Sequence, residues 1–189
     1  MGVRNYPDTP RVFLDMDGPL ADFEKAVELE NSSIEHHKRI AGAYARMPLT
    51  PGAKQALATI IELKFEPFSL TKIPRSNPYA ATEKLLWVQQ NLPELNDRVI
   101  ISSDKGAVGR PCDILIDDHP EWANANNFPG TTLKFVPAEG WGPIIKKLEF
   151  CAKTLIQNAS AIADLNDAND PYAASVYIKF LFAKTLGIV

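Results

Sequence analysis

One stretch constrains this chain more than any other: the apolar run Val12-Phe13-Leu14, which ends abruptly in Asp15-Met16-Asp17-Gly18-Pro19. A run of β-formers bounded by Gly and Pro predicts a buried strand, and the acids sit where its C-terminal end enters a loop. Asp15 and Asp17, two residues apart, point to the same side of that strand end. Two like charges so placed disfavour each other's ionisation unless a cation lies between them or one keeps a proton. Mg²⁺ answers this directly, because it takes oxygen ligands and is held by one or two carboxylates plus a substrate phosphate. A solvated turn rich in aspartate shares the same spelling, so the pattern alone leaves both readings open.

Further apolar runs come at intervals that alternate with helical periodicity. Phe65 to Thr71 predicts a second strand, with regular pairing only from Phe68 because Pro67 lacks a donor. Arg98 to Ser102, Asp113 to Ile116 and Thr132 to Val136 predict three more, the fourth ending in Asp117-Asp118. Between them the spacing predicts helices over Pro19 to Asn31, from a Ser32/Glu35 capping box to about Met47, from Thr50-Pro51 to Lys64, and from Asn77-Pro78 to Asn91 with Leu85, Val88 and Leu92 inward. From Trp141 the pattern turns wholly helical. Ile144 to Ile162 predicts one long helix, and Asp170-Pro171 opens another with Val176, Phe180 and Ala183 along one face. Continuous apolar strands alternating with helices predict a parallel sheet covered on both faces.

The chain has 189 residues, 46% hydrophobic and 23% charged, with a net charge of -3. That suits one domain with a small insertion and argues against a general nucleic-acid binder, which carries a basic face. The segment up to Pro10 has no apolar run and no other stretch approaches a membrane span, so the expected location is the cytoplasm. Cys112 and Cys151 fall in no ligand-like spacing and are expected as buried free thiols.

Asp15 to Phe23 resembles motif I of the haloacid dehalogenase-like phosphohydrolases, and among them the 5'(3')-deoxyribonucleotidases, whose motif also ends in Leu-Ala-Asp-Phe. The resemblance runs from about Arg11 to Ile145 and includes Glu83-Lys84 with Trp87-Val88. It implies a Rossmann-like α/β fold, a five-stranded parallel sheet of order 3-2-1-4-5 with helices on both faces. The core would span 1–145 with a short helical cap insertion at about 24–48. The resemblance does not cover 146–189, which by its helical pattern forms a C-terminal extension expected to bury an apolar face against the domain or a partner chain, the latter a route to a homo-oligomer. It further implies a Mg²⁺-dependent phosphomonoesterase acting on a small phosphomonoester, with nucleoside monophosphates as the preferred class.

By that resemblance Asp15 is the nucleophile and Asp17 the general acid/base, with its backbone carbonyl also toward the metal. Thr71 holds a phosphoryl oxygen, with Ser69 as fallback, and Lys105 neutralises Asp15 and the phosphoryl group. Lys72 aside, Lys105 is the only lysine that the sequence places near a strand end on the edge that carries the acids. Asp117-Asp118 resembles the acidic pair that completes the metal site, with Asp118 as direct ligand and the reverse assignment open. Substrate contacts are expected from Phe23, Thr71, Lys72, Lys105 and His119, the last standing where the nucleotidases often have Arg. Three rivals share the scaffold: a phosphatase for another metabolite, a dehalogenase or phosphonatase with Lys38 as its lysine, and a non-catalytic assembly module. Asp17 speaks against dehalogenation, and the intact set of acids and Lys105 speaks against lost catalysis.

Overall fold

The apolar runs pair as one parallel sheet. In the computed structural model, which describes residues 9–167 and 170–188, the strands are β1 (Arg11–Leu14), β2 (Glu66–Thr71), β3 (Val99–Ile101), β4 (Ile114–Asp117) and β5 (Thr131–Lys134). Their order is β3-β2-β1-β4-β5, as expected. The helices are α1 (Phe23–Leu29), α2 (Ile34–His37), α3 (Ala53–Glu62), α4 (Ala80–Asn91), α5 (Gly142–Gln157), α6 (Ala159–Asp167) and α7 (Pro171–Thr185). The segment before Thr9, on which part of the expected location rested, lies outside the described residues. Among the described residues no helix is long and apolar enough to cross a membrane.

Alternate residues of a strand face opposite sides, and the core divides accordingly. Val12, Leu14, Ile114, Ile116 and Leu133 face a large apolar cluster that takes Leu57 and Ile60 from α3, Trp87 from α4, Leu148 from α5, and Ile178 and Phe182 from α7. Phe13, Leu70 and Leu115 face a smaller one with Phe128, whose ring meets Phe13 edge-on at 5.7 Å. That second face is closed by the 3-10 turns Lys105–Ala107 and Ala125–Asn127, on the connections after β3 and β4, instead of by long helices.

Several boundaries move for identifiable reasons. Pro67 is a paired residue of β2, opposite Val12. Glu66 donates its N–H toward β1 through Pro10, so the donor that Pro67 lacks would point to β3, whose ladder begins only at Ser69. The first helix starts at Phe23, not Pro19, because the Asp22 carboxylate accepts the Lys25 N–H as its cap. The second is capped by Ser33 and ends at His37 instead of running to Met47. Gly42 turns the chain at φ 79, and Glu83 takes the N–H groups of Gly42 and Tyr44. The predicted long helix breaks at Asn158, whose side-chain amide donates to the Thr154 carbonyl.

Two helix faces differ from the expected ones. α4 buries Ala80, Glu83, Lys84, Trp87 and Val88 and leaves Leu85 exposed. α7 buries Ala174, Ile178 and Phe182 and exposes Val176 and Phe180. α7 is apolar almost all round, so periodicity alone does not choose its inward stripe.

At the opposite end of β4 from the acids, Asp113 accepts from Arg11 Nη2 at 2.6 Å and from Arg110 Nη2 at 2.8 Å. Burial alone would raise its carboxyl, but hydrogen bonds from Arg110 and Arg11 outweigh it and hold the pKa below the ordinary 3.8. Its stabilisation is therefore complete above that value and is lost as pH falls through the lower folded-state pKa. Asp113→Ala removes the buried acceptor that both guanidinium groups share, and denaturant unfolding at pH 7 should show a loss of about 3 kcal/mol. In Asp113→Asn the acid limb of the stability curve should flatten.

Candidate active site

β1 connects toward β2 and β4 toward β5, so the two neighbouring strands part at their carboxyl ends and leave a crevice there. Asp15 follows β1, Asp117 is the last residue of β4 and Asp118 follows it. One carboxylate oxygen of each lies within 4.8 Å of the other two. Lys105 enters from the turn after β3, where Asp104 accepts the Ala107 N–H. Its Nζ stands 2.7 Å from Asp15 and 2.7 Å from Asp117.

The electrostatics follow from this crowding. Burial pushes the Asp15 carboxyl up to about 7; Lys105 pulls it back, while Asp117 and Asp17 push it further. Burial also raises Asp118 to about 6, its own backbone N–H and His119 opposing and the neighbouring acids adding to the rise. Burial works against the Lys105 charge, but Asp15 and Asp117 outweigh it and hold its pKa above the ordinary value. Three crowded carboxyls, Asp117 buried and Asp15 and Asp118 half-buried at the crevice, offer only oxygen donors and fit a hard divalent cation, which would relieve that cost.

Asp17 stands apart from the triad. Its Oδ2 accepts from Lys84 Nζ at 2.8 Å, and its Oδ1 is buried with no partner among the described residues. Lys84 is fully buried on α4 and spends its other two donors on Thr71 Oγ1 at 2.8 Å and the Lys72 carbonyl at 2.9 Å. Because Thr71 accepts there, its own hydroxyl hydrogen is left to donate elsewhere. Ser69, the fallback, is fully buried with its hydroxyl unpartnered among the described residues.

Lys84 is the residue that reading from strand ends missed. It lies in the middle of a helix, and it reaches the strand edge only because α4 turns Glu83 and Lys84 inward. A charged pair followed by Trp87 and Val88 on the inward spacing was the available signal. The same face ties the site to the segment before α3, since the Trp87 indole donates to the Met47 carbonyl at 2.7 Å.

Gly18 lets the loop close. Its φ is 99, and a Cβ there would run into the Asp118 carboxylate. Gly18→Ala is expected to cost about 1–3 kcal/mol and to displace Asp118. Thermal melting and divalent-metal titration of the same variant would register both effects.

Above the acids opens a cleft of about 520 Å³. Asp15, Asp17, Asp118 and Lys105 line it, as do Phe23, Lys72 and His119. Thr71 and Asp117 are buried and do not line it. Every residue expected in the site is thus placed at or just behind one crevice. Phe23 does two things at once: it lines the cleft and packs against the core. Lys38 also lines the cleft, alongside Ile34 and Arg75.

Comparison with known proteins finds likenesses in both sequence and structure. A family model described as 5' nucleotidase, deoxy (pyrimidine), cytosolic type C protein matches residues 28–139. A Vibrio phage KVP40 protein named "Putative 5'(3')-deoxyribonucleotidase" is 29% identical over 135 residues, 68% of this chain and 76% of its own length. The mouse protein named mitochondrial 5'(3')-deoxyribonucleotidase is 26% identical over 155 residues, covering 63% of this chain and 69% of its own. A crystal structure of a hydrolase from Pseudomonas syringae superposes with a TM-score of 0.42 at 15% identity, over 74% of this chain and 90% of that one.

Proposed function

The chain belongs to the 5' nucleotidase, deoxy (pyrimidine), cytosolic type C family, and on that premise we propose that it hydrolyses nucleoside monophosphates through an aspartyl-phosphate on Asp15. The observation that carries this reading is the convergence of Asp15, Asp117 and Asp118 around one point, with Lys105 between two of them.

In the first step a carboxylate oxygen of Asp15 attacks phosphorus, the phosphoester P–O bond breaks, and Asp17 gives a proton to the departing oxygen. In the second, water attacks the acyl-phosphate and returns a proton to Asp17, releasing inorganic phosphate and restoring Asp15. Lys84 holds one oxygen of Asp17, and the unpartnered Oδ1 is left to exchange that proton. Lys105 meets the phosphoryl charge, and the Thr71 hydroxyl stands one layer behind, bonded to Lys84. Mg²⁺ is the ion that suits the site, and when bound it would neutralise phosphoryl oxygens and help to orient them. Asp15 and Asp118 would hold it directly. Asp118 accepts no hydrogen bond from another described residue, whereas Asp117 already accepts from Lys105 and from the His119 N–H. Asp117 therefore supports from behind.

The test is kcat/KM across 5'- and 3'-nucleoside monophosphates and sugar phosphates, with and without EDTA. Nucleotides should lead and excess EDTA should remove turnover. Equal rates on sugar phosphates would leave a general phosphatase, and full activity in EDTA would remove the metal from the reading.

A further inference from the structure

With the phosphate seated on Asp15, as the nucleotidase reading has it, the nucleoside lies along the cleft, whose walls carry unlike aromatics. Phe23 lines the cleft, but its ring is already committed: it meets His37 edge-on at 5.0 Å, lies 6.2 Å from Tyr44 and packs against the core. Trp122 also lines the cleft and lies flat on His119 at 3.9 Å with the rings 10° apart, yet remains 61% exposed. A ring gains from stacking what it still offers to water, so Trp122 has more to gain from an incoming base than Phe23.

The loop that carries Trp122 is also built to stay where it is. Ala123 and Asn124, the next two residues, both adopt left-handed backbone at φ 51 and 58. Alanine does so at a cost, and such strain persists only where surrounding bonds over-determine it. Those bonds are present. The Trp122 N–H donates to the His119 carbonyl at 2.9 Å, the Ala123 carbonyl accepts the Lys105 N–H at 2.7 Å, and the Asn124 amide donates to Asp104 at 2.7 Å. The His119 ring is itself held, with Nδ1 2.8 Å from Glu121. Trp122 is therefore anchored to the very turn that presents Lys105, which sets the indole at a constant place relative to the phosphate site.

We propose, on the strength of the nucleotidase reading, that Trp122, backed by His119, is the stacking platform for the nucleobase and the residue that separates nucleotides from sugar phosphates. The readout is the ratio of kcat/KM for deoxythymidine 5'-monophosphate to that for 2-deoxyribose 5-phosphate, which is the same ester without its base. Trp122→Ala should lower the ratio about tenfold or more, the size of one base-on-aromatic contact, with the loss chiefly in KM for the nucleotide. Trp122→Phe, which keeps an aromatic face, should retain most of it. Melting curves would confirm that both variants fold, as the exposed position requires. An unchanged ratio in Trp122→Ala overturns the platform and leaves the nucleotidase reading standing. So does an equal fall in Trp122→Phe, which would show that the aromatic face is not the cause. A wild-type ratio near one overturns both.

Discussion

Asp15→Asn is expected to lower phosphatase turnover by several orders of magnitude while leaving the fold intact. Asn keeps the shape of the side chain and can still accept the Met16 N–H that Asp15 Oδ1 now takes at 2.8 Å. An amide oxygen cannot attack phosphorus to give an acyl-phosphate, so the two-step route is closed and not merely slowed. The substitution also removes one of three crowded carboxyls, so the melting temperature without added metal should be no lower than in the wild type. Steady-state rates, an acid-quench search for phosphorylated enzyme and a thermal melt would check all three statements. Undiminished turnover in Asp15→Asn would remove Asp15 from the role of nucleophile.

Lys84→Met is expected to cost far more in turnover than in stability. Its ammonium holds Asp17 and Thr71 at 2.8 Å each, so its loss frees the carboxylate proposed as general acid/base to turn away and releases the Thr71 hydroxyl. Misplacing a proton donor forfeits its contribution, about 10²–10⁴-fold in rate, and the loss should fall on kcat more than on KM. Stability should fall as well, by about 1–3 kcal/mol, because Met leaves Asp17, the Thr71 hydroxyl and the Lys72 carbonyl without the donor they share. Met would still lie against the Tyr44 ring, over which Lys84 Nζ now sits at 4.8 Å. If Lys84→Met keeps its kcat, Lys84 is packing alone; if it unfolds, the ammonium is structural.

Much of the site was legible because its residues sit at strand ends, and strand ends have a local signature. Asp15, Asp17, Thr71, Lys105, Asp117 and Asp118 each follow or close a run of β-formers, and the parallel topology brings those ends together whatever the loops between them do. Lys84 had no such signature. Helical periodicity selects the apolar stripe, and by that rule Leu85 belonged inside. The structure turns Leu85 out because Lys84 has three acceptors waiting at the strand edge and Glu83 has two backbone donors at Gly42 and Tyr44. Trp122 was equally silent, since nothing in Glu121-Trp122-Ala123 tells an exposed platform from a loose surface aromatic until the left-handed turn behind it is seen.

The strands, their order through the family resemblance, and the acids at their ends are legible in the chain alone, because burial on both faces and the chemistry of a strand terminus are written in short contiguous runs. Tertiary structure alone decided which face α4 and α7 turn inward, that Pro67 pairs within β2, that Ser33 rather than Ser32 caps α2, and that Asp17 leans on Lys84 while Asp15, Asp117 and Asp118 draw together. Each of these depends on a partner far away in the chain. Local propensity is blind to such a partner, and a hydrogen bond or ion pair with it outweighs the few tenths of a kcal/mol, in rough terms, by which local preferences differ.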